Sequence, residues 1–152
     1  KSGLFGIDEA ADRIAAARAA APSGTFVLNA RTDTYFAGTK GDVFAETVQR
    51  AVRYLEAGAD CVFVPGVAEQ DTIRRLATAI PGPLNVVAGL ANTIDAPTHL
   101  LLGVKRVSLG GSLAWAALSM LERAGRELHD SGTLGFLDGA IGYADLQRRF
   151  GS

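Results

Sequence analysis

A cation and three polar side chains follow one another at the end of an apolar run: Phe26, Val27 and Leu28 lead into Asn29, Arg31, Thr32 and Asp33. The planar fork of Arg31 matches a carboxylate or phosphonate through two parallel hydrogen bonds. Asn29 and Arg31 are two residues apart, so on a strand both point to the same face. Asp33 suits orienting Arg31 or capping the loop that follows; acid–base work is the further use of its carboxylate. The competing reading of Arg31 is a structural ion pair, with Asp33 or with a neighbouring strand end.

A second candidate is "LGGSLAW", where Gly110 and Gly111 run into a helix start at Ser112. Backbone amides there would face an anion with the positive end of the helix dipole behind them. The same glycines would equally serve close strand-to-helix packing, with Ser112 as a plain N-cap. His99 and His129 share no metal-ligand spacing with each other or with Cys61, so no zinc site is expected. Cys61 reads as an apolar filler, and Trp115 and Met120 as packing residues. No G-x-G-x-x-G, Walker A or G-x-S-x-G motif is present.

The elements that must hold these residues alternate. "IDEAADRIAAARAAAPSG" reads as a helix with Asp8 at its N-cap, then "TFVLNAR" as a strand and "TYFAGTKGD" as a loop. "VFAETVQRAVRYLEAG" is an amphipathic helix with Val48, Val52 and Leu55 in its stripe and Gly58 after its end. "DCVFVPG" is the second strand. "AEQDTIRRLATAIPG" is a helix with Ile73, Leu76 and Ile80 on one face, and "PLNVVAG" is the third strand. "DAPTHLLLG" is a short helix capped by Asp95, and "KRVSLGG" is the fourth strand. A long helix from Ser112 closes near Gly132, and a short one spans Tyr143–Phe150.

Helix, glycine, strand recurs at Gly24, Gly58 and Gly103. That repeat, with continuous apolar strands, signals crossover connections and a parallel α/β sheet buried on both faces. In such sheets ligands bind at the carboxyl ends of the strands. Those ends are Asn29–Asp33, Val64-Pro65-Gly66, Ala88-Gly89-Leu90-Ala91-Asn92 and Leu109–Ser112. One carries a cation, and the glycines of the others, Gly66, Gly110 and Gly111 among them, let a substrate approach the backbone. On pattern alone, four strands in 152 residues favour a small open doubly wound sheet.

Composition narrows the partners. Fifteen basic against sixteen acidic residues give a net charge of −1, which offers no electrostatic footprint for nucleic acid or an anionic membrane. No apolar run approaches the roughly 18–20 residues that cross a bilayer. One cysteine excludes an internal disulfide and fits a reducing cytoplasm. The chain opens on Lys1 and not on Met, so it reads as a piece of a longer protein.

"FVLNARTDTY", "LEAGADCVFVPG", "PGPLNVVAG" and "GVKRVSLGGSLAWAAL" together resemble the isocitrate lyase/phosphoenolpyruvate mutase superfamily, most of all its short carboxyphosphonoenolpyruvate phosphonomutase-like members. The resemblance runs along essentially the whole chain, and Asn-Ala-Arg-Thr-Asp is its most specific part. It implies a (β/α)8 TIM barrel in place of the open sheet, with residues 1–152 supplying strands five to eight and their helices as the C-terminal half of one barrel domain. It implies an Mg²⁺-dependent lyase or phosphonomutase-like enzyme acting on a small dianionic 2-oxo or 2-hydroxy carboxylate or phosphonate, through an enolate-like intermediate. Arg31 matches the arginine that holds the substrate, which makes it the catalytic candidate. Asn29, Asp33, Gly66, Gly110 and Gly111 join it as substrate-contact candidates.

The resemblance also implies a homodimer or homotetramer that exchanges a C-terminal helix, and the lone cysteine points to the cytoplasm. The superfamily's metal-binding carboxylates lie on earlier strands, so no metal ligand is expected in this chain. Two departures stand out. Pro65-Gly66 occupies the place where lyase members carry a glutamate, which argues against isocitrate or methylisocitrate cleavage. Asn92 is shifted from the position of the lyase asparagine and inherits no role. The alternatives are a non-catalytic anion-binding or interaction module, and an open sheet binding a small effector.

Overall fold

The computed structural model describes residues 3–22, 24–38, 41–89 and 93–151. They form two compact units, Lys1–Gly110 and Gly111–Ser152.

The first unit is a parallel four-stranded sheet with helices between its strands. Helix α1 (Ile7–Ala20) precedes β1 (Asn29–Arg31). Helices α2 (Thr34–Ala37) and α3 (Val43–Glu56) lead to β2 (Cys61–Phe63), α4 (Gln70–Ala79) to β3 (Leu84–Val87), and α5 (Ala96–Leu101) to β4 (Arg106–Ser108). The strand order is β1-β2-β3-β4, all pairs parallel. Each crossover therefore steps the same way. Right-handed crossovers that never reverse direction put every helix on one face of the sheet. A doubly wound sheet reverses its order and carries helices on both faces. The sequential order is that of consecutive strands in a (β/α)8 barrel, so the open-sheet expectation gives way to an arc of barrel wall.

Residue parity divides the wall. Val62, Val64, Leu84 and Val86 face the helices and join Ala51, Ile73, Leu76, Ile80, Leu102 and Val104 in one buried core. The opposite face carries Asn29, Arg31, Phe63, Asn85, Val87, Arg106 and Ser108. Only β3 is buried along its whole length, whereas Arg31 on β1 and Arg106 on β4 are exposed. The sheet is thus not apolar on both faces as expected, because its inner face lines a cavity.

Several local details depart from the sequence reading. The first helix is capped by Gly6, with Asp8 one residue inside, where its charge still favours the helix dipole. Thr34–Ala37 is a short helix and not loop. Phe26 and Val27 stay outside the ladder and are exposed, while the Leu28 carbonyl begins the pairing by accepting from the Cys61 N–H at 3.2 Å; β1 is the edge of the described sheet, so nothing on its outer side extends the pairing. In α3 the buried positions are Thr47, Arg50, Ala51 and Tyr54, flanked by Val48 and Leu55. Asp95 caps α5 as expected by accepting from the Thr98 N–H at 2.7 Å, and hydrogen bonding from the Thr98 side chain and then from that N–H holds its carboxyl below the usual range.

Gly58 shows why a glycine ends the third helix. It sits at φ +102°, and a Cβ there would lie 2.8 Å from Cγ of Arg18. Arg18 uses the space to donate to the Gly58 carbonyl at 2.8 Å and to pair with Asp60, which accepts from the Leu28 N–H at 2.7 Å. One guanidinium so ties α1 to the start of β2.

The second unit holds α6 (Ser112–Asp130), a 3-10 turn at Gly135–Leu137 and α7 (Tyr143–Arg149). The Glu127 carboxylate accepts from Thr133 Oγ1 and the N–H groups of Gly135 and Phe136, which fastens the turn and lowers its pKa. Trp115 and Met120, expected to pack, are about half exposed. No helix among the described residues is long and apolar enough to cross a membrane.

Candidate active site

Four strands deliver the candidate site. The hydrogen-bonded register aligns Arg31 with Phe63, Phe63 with Asn85, and Asn85 with Arg106, a single row across the sheet. Toward the carboxyl ends, Val87 pairs with Ser108. Above this row lies a cavity of about 650 Å³ lined by Asn29, Arg31, Phe63, Pro65, Val87, Arg106 and the run Val107–Gly110. Its lining contains two guanidinia and no carboxylate. A small anion is the ligand such a wall attracts.

Arg31 donates from Nε to Asp33 Oδ1 at 2.7 Å. Its terminal amino groups make no hydrogen bond to a described residue, and its guanidinium carbon lies 5.6 Å from the centre of the Phe63 ring. The ion pair weighed against a functional role therefore exists, but it occupies one edge of the fork and leaves the other open. Asp33 stands at the N-cap position of α2, yet its side chain makes no capping bond and turns to Arg31. Of its foreseen uses, orienting Arg31 is the one realised.

Arg31 also borders a second cavity, of about 810 Å³, together with Asp33, Phe36, Arg13 and Arg50. There Arg13 already lies over the Phe5 ring and Arg50 already bonds Glu46 and the Phe5 carbonyl. Those cations are engaged, so the cavity at the strand ends is the better anion site.

The other foreseen residues divide. Asn29 lines the cavity, and its Oδ1 is buried with no partner among the described residues. Gly110 lines it too. Gly66 lies against the Phe36 ring, which a Cβ would meet at 3.1 Å, and its neighbour Pro65 reaches the cavity instead. Gly111 is the N-cap of α6 in the second unit, where a Cβ would strike the Trp115 ring at 2.9 Å. Close packing against its own helix accounts for that glycine. Leu90, Ala91 and Asn92 fall outside the described residues.

Sequence reading missed Phe63, Asn85, Arg106 and Ser108. Asn85 is fully buried and its Oδ1 accepts from Ser108 Oγ at 3.1 Å, while its Nδ2 has no acceptor. The period-two argument that paired Asn29 with Arg31 would have found Arg106 and Ser108 had it been carried to the fourth strand.

Among the described residues no three His, Cys, Asp or Glu side chains stand close enough to hold a metal ion. The cavity offers guanidinia where Mg²⁺ needs carboxylate and carbonyl oxygens. The residues present do not fit Mg²⁺.

The phosphoenolpyruvate phosphomutase family model matches residues 1–129. The chain belongs to that family. Among its relatives, Rv1998c of Mycobacterium tuberculosis is 39% identical over 122 residues, covering 80% of this chain and 45% of that protein. A Corynebacterium glutamicum protein named "Probable 2-methylisocitrate lyase 1" is 32% identical over 131 residues, covering 83% and 42%. Among solved structures, a "putative lyase/mutase from Burkholderia cenocepacia J2315" superposes with a TM-score of 0.87 at 38% identity, covering 98% of this chain and 54% of that one. The chain spans about half the length of these relatives. As a member of the phosphoenolpyruvate phosphomutase family it is related to lyases and mutases, and its parallel sheet is the family's barrel wall.

Proposed function

We propose that the protein to which this chain belongs is a lyase or phosphonomutase-like enzyme acting on a small 2-oxo or 2-hydroxy carboxylate or phosphonate, and that residues 1–152 are the C-terminal half of its single barrel domain. The observation that carries this reading is the Arg31 fork, half of it free at the carboxyl end of β1, on an inner-face cavity whose described lining holds no carboxylate. Arg31 would bind the acidic group of the substrate and, as charge moves onto an enolate-like species, lower its energy through a donor already in place. Asp33 would hold the fork in that orientation, and Asn29 would accept from a substrate hydroxyl.

In this reading Mg²⁺ serves the full-length enzyme through carboxylates other than those described here, and no step of this chain's chemistry is routed through it. Localisation in the cytoplasm, and a homodimer or homotetramer that exchanges its C-terminal helix, belong to the same proposal. The exposed Leu113, Trp115, Leu118 and Leu121 of α6 support the exchange, being an apolar surface that a second copy would cover.

The test is turnover of a panel of phosphonates and 2-oxo and 2-hydroxy acids by the full-length protein with Mg²⁺. Arg31→Ala should lower kcat/KM by about 10²-fold or more. Unchanged kcat/KM would remove Arg31 from the chemistry. The other reading is a non-catalytic anion-binding module, favoured by a cavity whose cations are built within this chain alone. Calorimetry with oxalate separates the two: binding by the chain without Mg²⁺, with no turnover in the full-length protein, supports the module.

A further inference from the structure

We propose that Arg106 is a specificity-determining residue, holding the second acidic group of a substrate whose first is held by Arg31. The inference rests on the reading of Arg31 given above and extends it to the far end of the same cavity.

Arg106 lies in the same register row as Arg31, three strands away, with Phe63 and Asn85 between them. Three strand spacings separate the two backbones by about 14 Å. The row thus reads cation, ring, amide, cation. Donors that cradle one phosphate converge on it; these stand apart, facing one space from opposite ends. Both line the cavity of about 650 Å³.

Arg106 is also unspent. Arg18, Arg50, Arg53, Arg74, Arg126 and Arg148 each pair with a carboxylate, and Arg13 and Arg75 lie over phenylalanine rings. Arg123 and Arg149 share with Arg106 the lack of such a contact to a described residue, but they stand on α6 and α7 and not on a strand. Arg106 makes neither contact with any described residue, and it stands exposed on the inner face of the sheet. Its charge reaches across that face, since it opposes the upward shift that burial imposes on the Cys61 thiol of β2, two strands away. Asn85 beside it is fully buried, with Nδ2 lacking an acceptor. Asn85 is not part of the cavity lining, so the open guanidinium of Arg106 is the group that suits one more carboxylate or phosphonate. The substrate class is then an acid with anionic groups at both ends, and a monoacid leaves Arg106 unmatched.

The experiment is calorimetry on the full-length protein with succinate and butyrate, equal in carbon number and differing in the second carboxylate. The wild type should bind succinate about 10- to 100-fold more tightly, the worth of one charge-assisted contact. Arg106→Gln should bring the ratio near one by weakening succinate far more than butyrate, while Arg31→Gln should weaken both ligands. Arg106→Lys, which keeps the charge and loses the fork, should retain only part of the preference and gives the answer if Arg106→Gln does not fold. An unaltered ratio in either Arg106 variant overturns the inference and leaves Arg31 in place. Failure of the wild type to bind either acid, or unchanged binding by Arg31→Gln, overturns the Arg31 reading and this inference with it.

Discussion

Arg31 and Asp33, two residues apart at the end of one strand, are joined by an Nε–Oδ1 hydrogen bond of 2.7 Å, with 53% and 42% of their side chains accessible. Ion pairs this exposed contribute about 0–1 kcal/mol. Asp33 therefore sets the direction of the fork more than it stabilises the fold. Asp33→Asn should leave the urea midpoint within that margin and change oxalate affinity several-fold. A large loss of stability with affinity unchanged would refute the orienting role.

Ser108 donates to the buried Oδ1 of Asn85. Ser108→Ala leaves that acceptor without a donor in a site closed to water, which costs about 1–3 kcal/mol. Chemical denaturation should show the loss. An unchanged midpoint would mean that the amide finds another partner.

His99 is fully buried in α5, neither ring nitrogen has a partner among the described residues, and burial depresses its pKa, opposed in part by Asp95. A depressed imidazole pKa means that the unfolded chain binds more protons in the window between the two values, so stability rises with pH there. It is complete above the ordinary imidazole range near 6.5 and is lost as pH falls below it. Denaturation at pH 7 and pH 5 should give a drop for the wild type and a smaller one for His99→Leu. Equal drops would show that other groups govern the acid limb.

Gly58→Ala forces an L side chain into a left-handed conformation and displaces Arg18 from the turn it clasps. The backbone strain alone is worth about 1–2 kcal/mol. The variant should melt lower by that amount or more; a neutral result would show that the turn relaxes freely.

The helix–glycine–strand repeat made the alternation of elements legible in the sequence. The spacing of Ile73, Leu76 and Ile80 likewise identified the buried face of α4. α3 was read one position off, because its buried face is built from Thr47, Arg50 and Tyr54, which no hydrophobic count selects. Thr34 and Thr47 show why: their hydroxyls bond each other at 2.6 Å, so two polar residues satisfy one another and become core. The direction of crossover was beyond pattern reading, since alternating strands and helices are common to open and closed sheets. Only the resemblance, and then the observed strand order, separated them.

Residue type and parity along one strand sufficed to single out Arg31 and Asn29, because a cation where an apolar strand ends has few structural reasons to be there. The chain by itself therefore determined the class of fold and one candidate for an anion-holding group. Tertiary structure decided that Asp33 turns to Arg31 and not to its helix, that Gly66 serves Phe36, and that Arg106, 75 positions later in the chain, shares a row with Arg31. The physical reason is register. Which residues of separate strands stand side by side is fixed by hydrogen bonding and packing between segments far apart in sequence, and no local pattern encodes it.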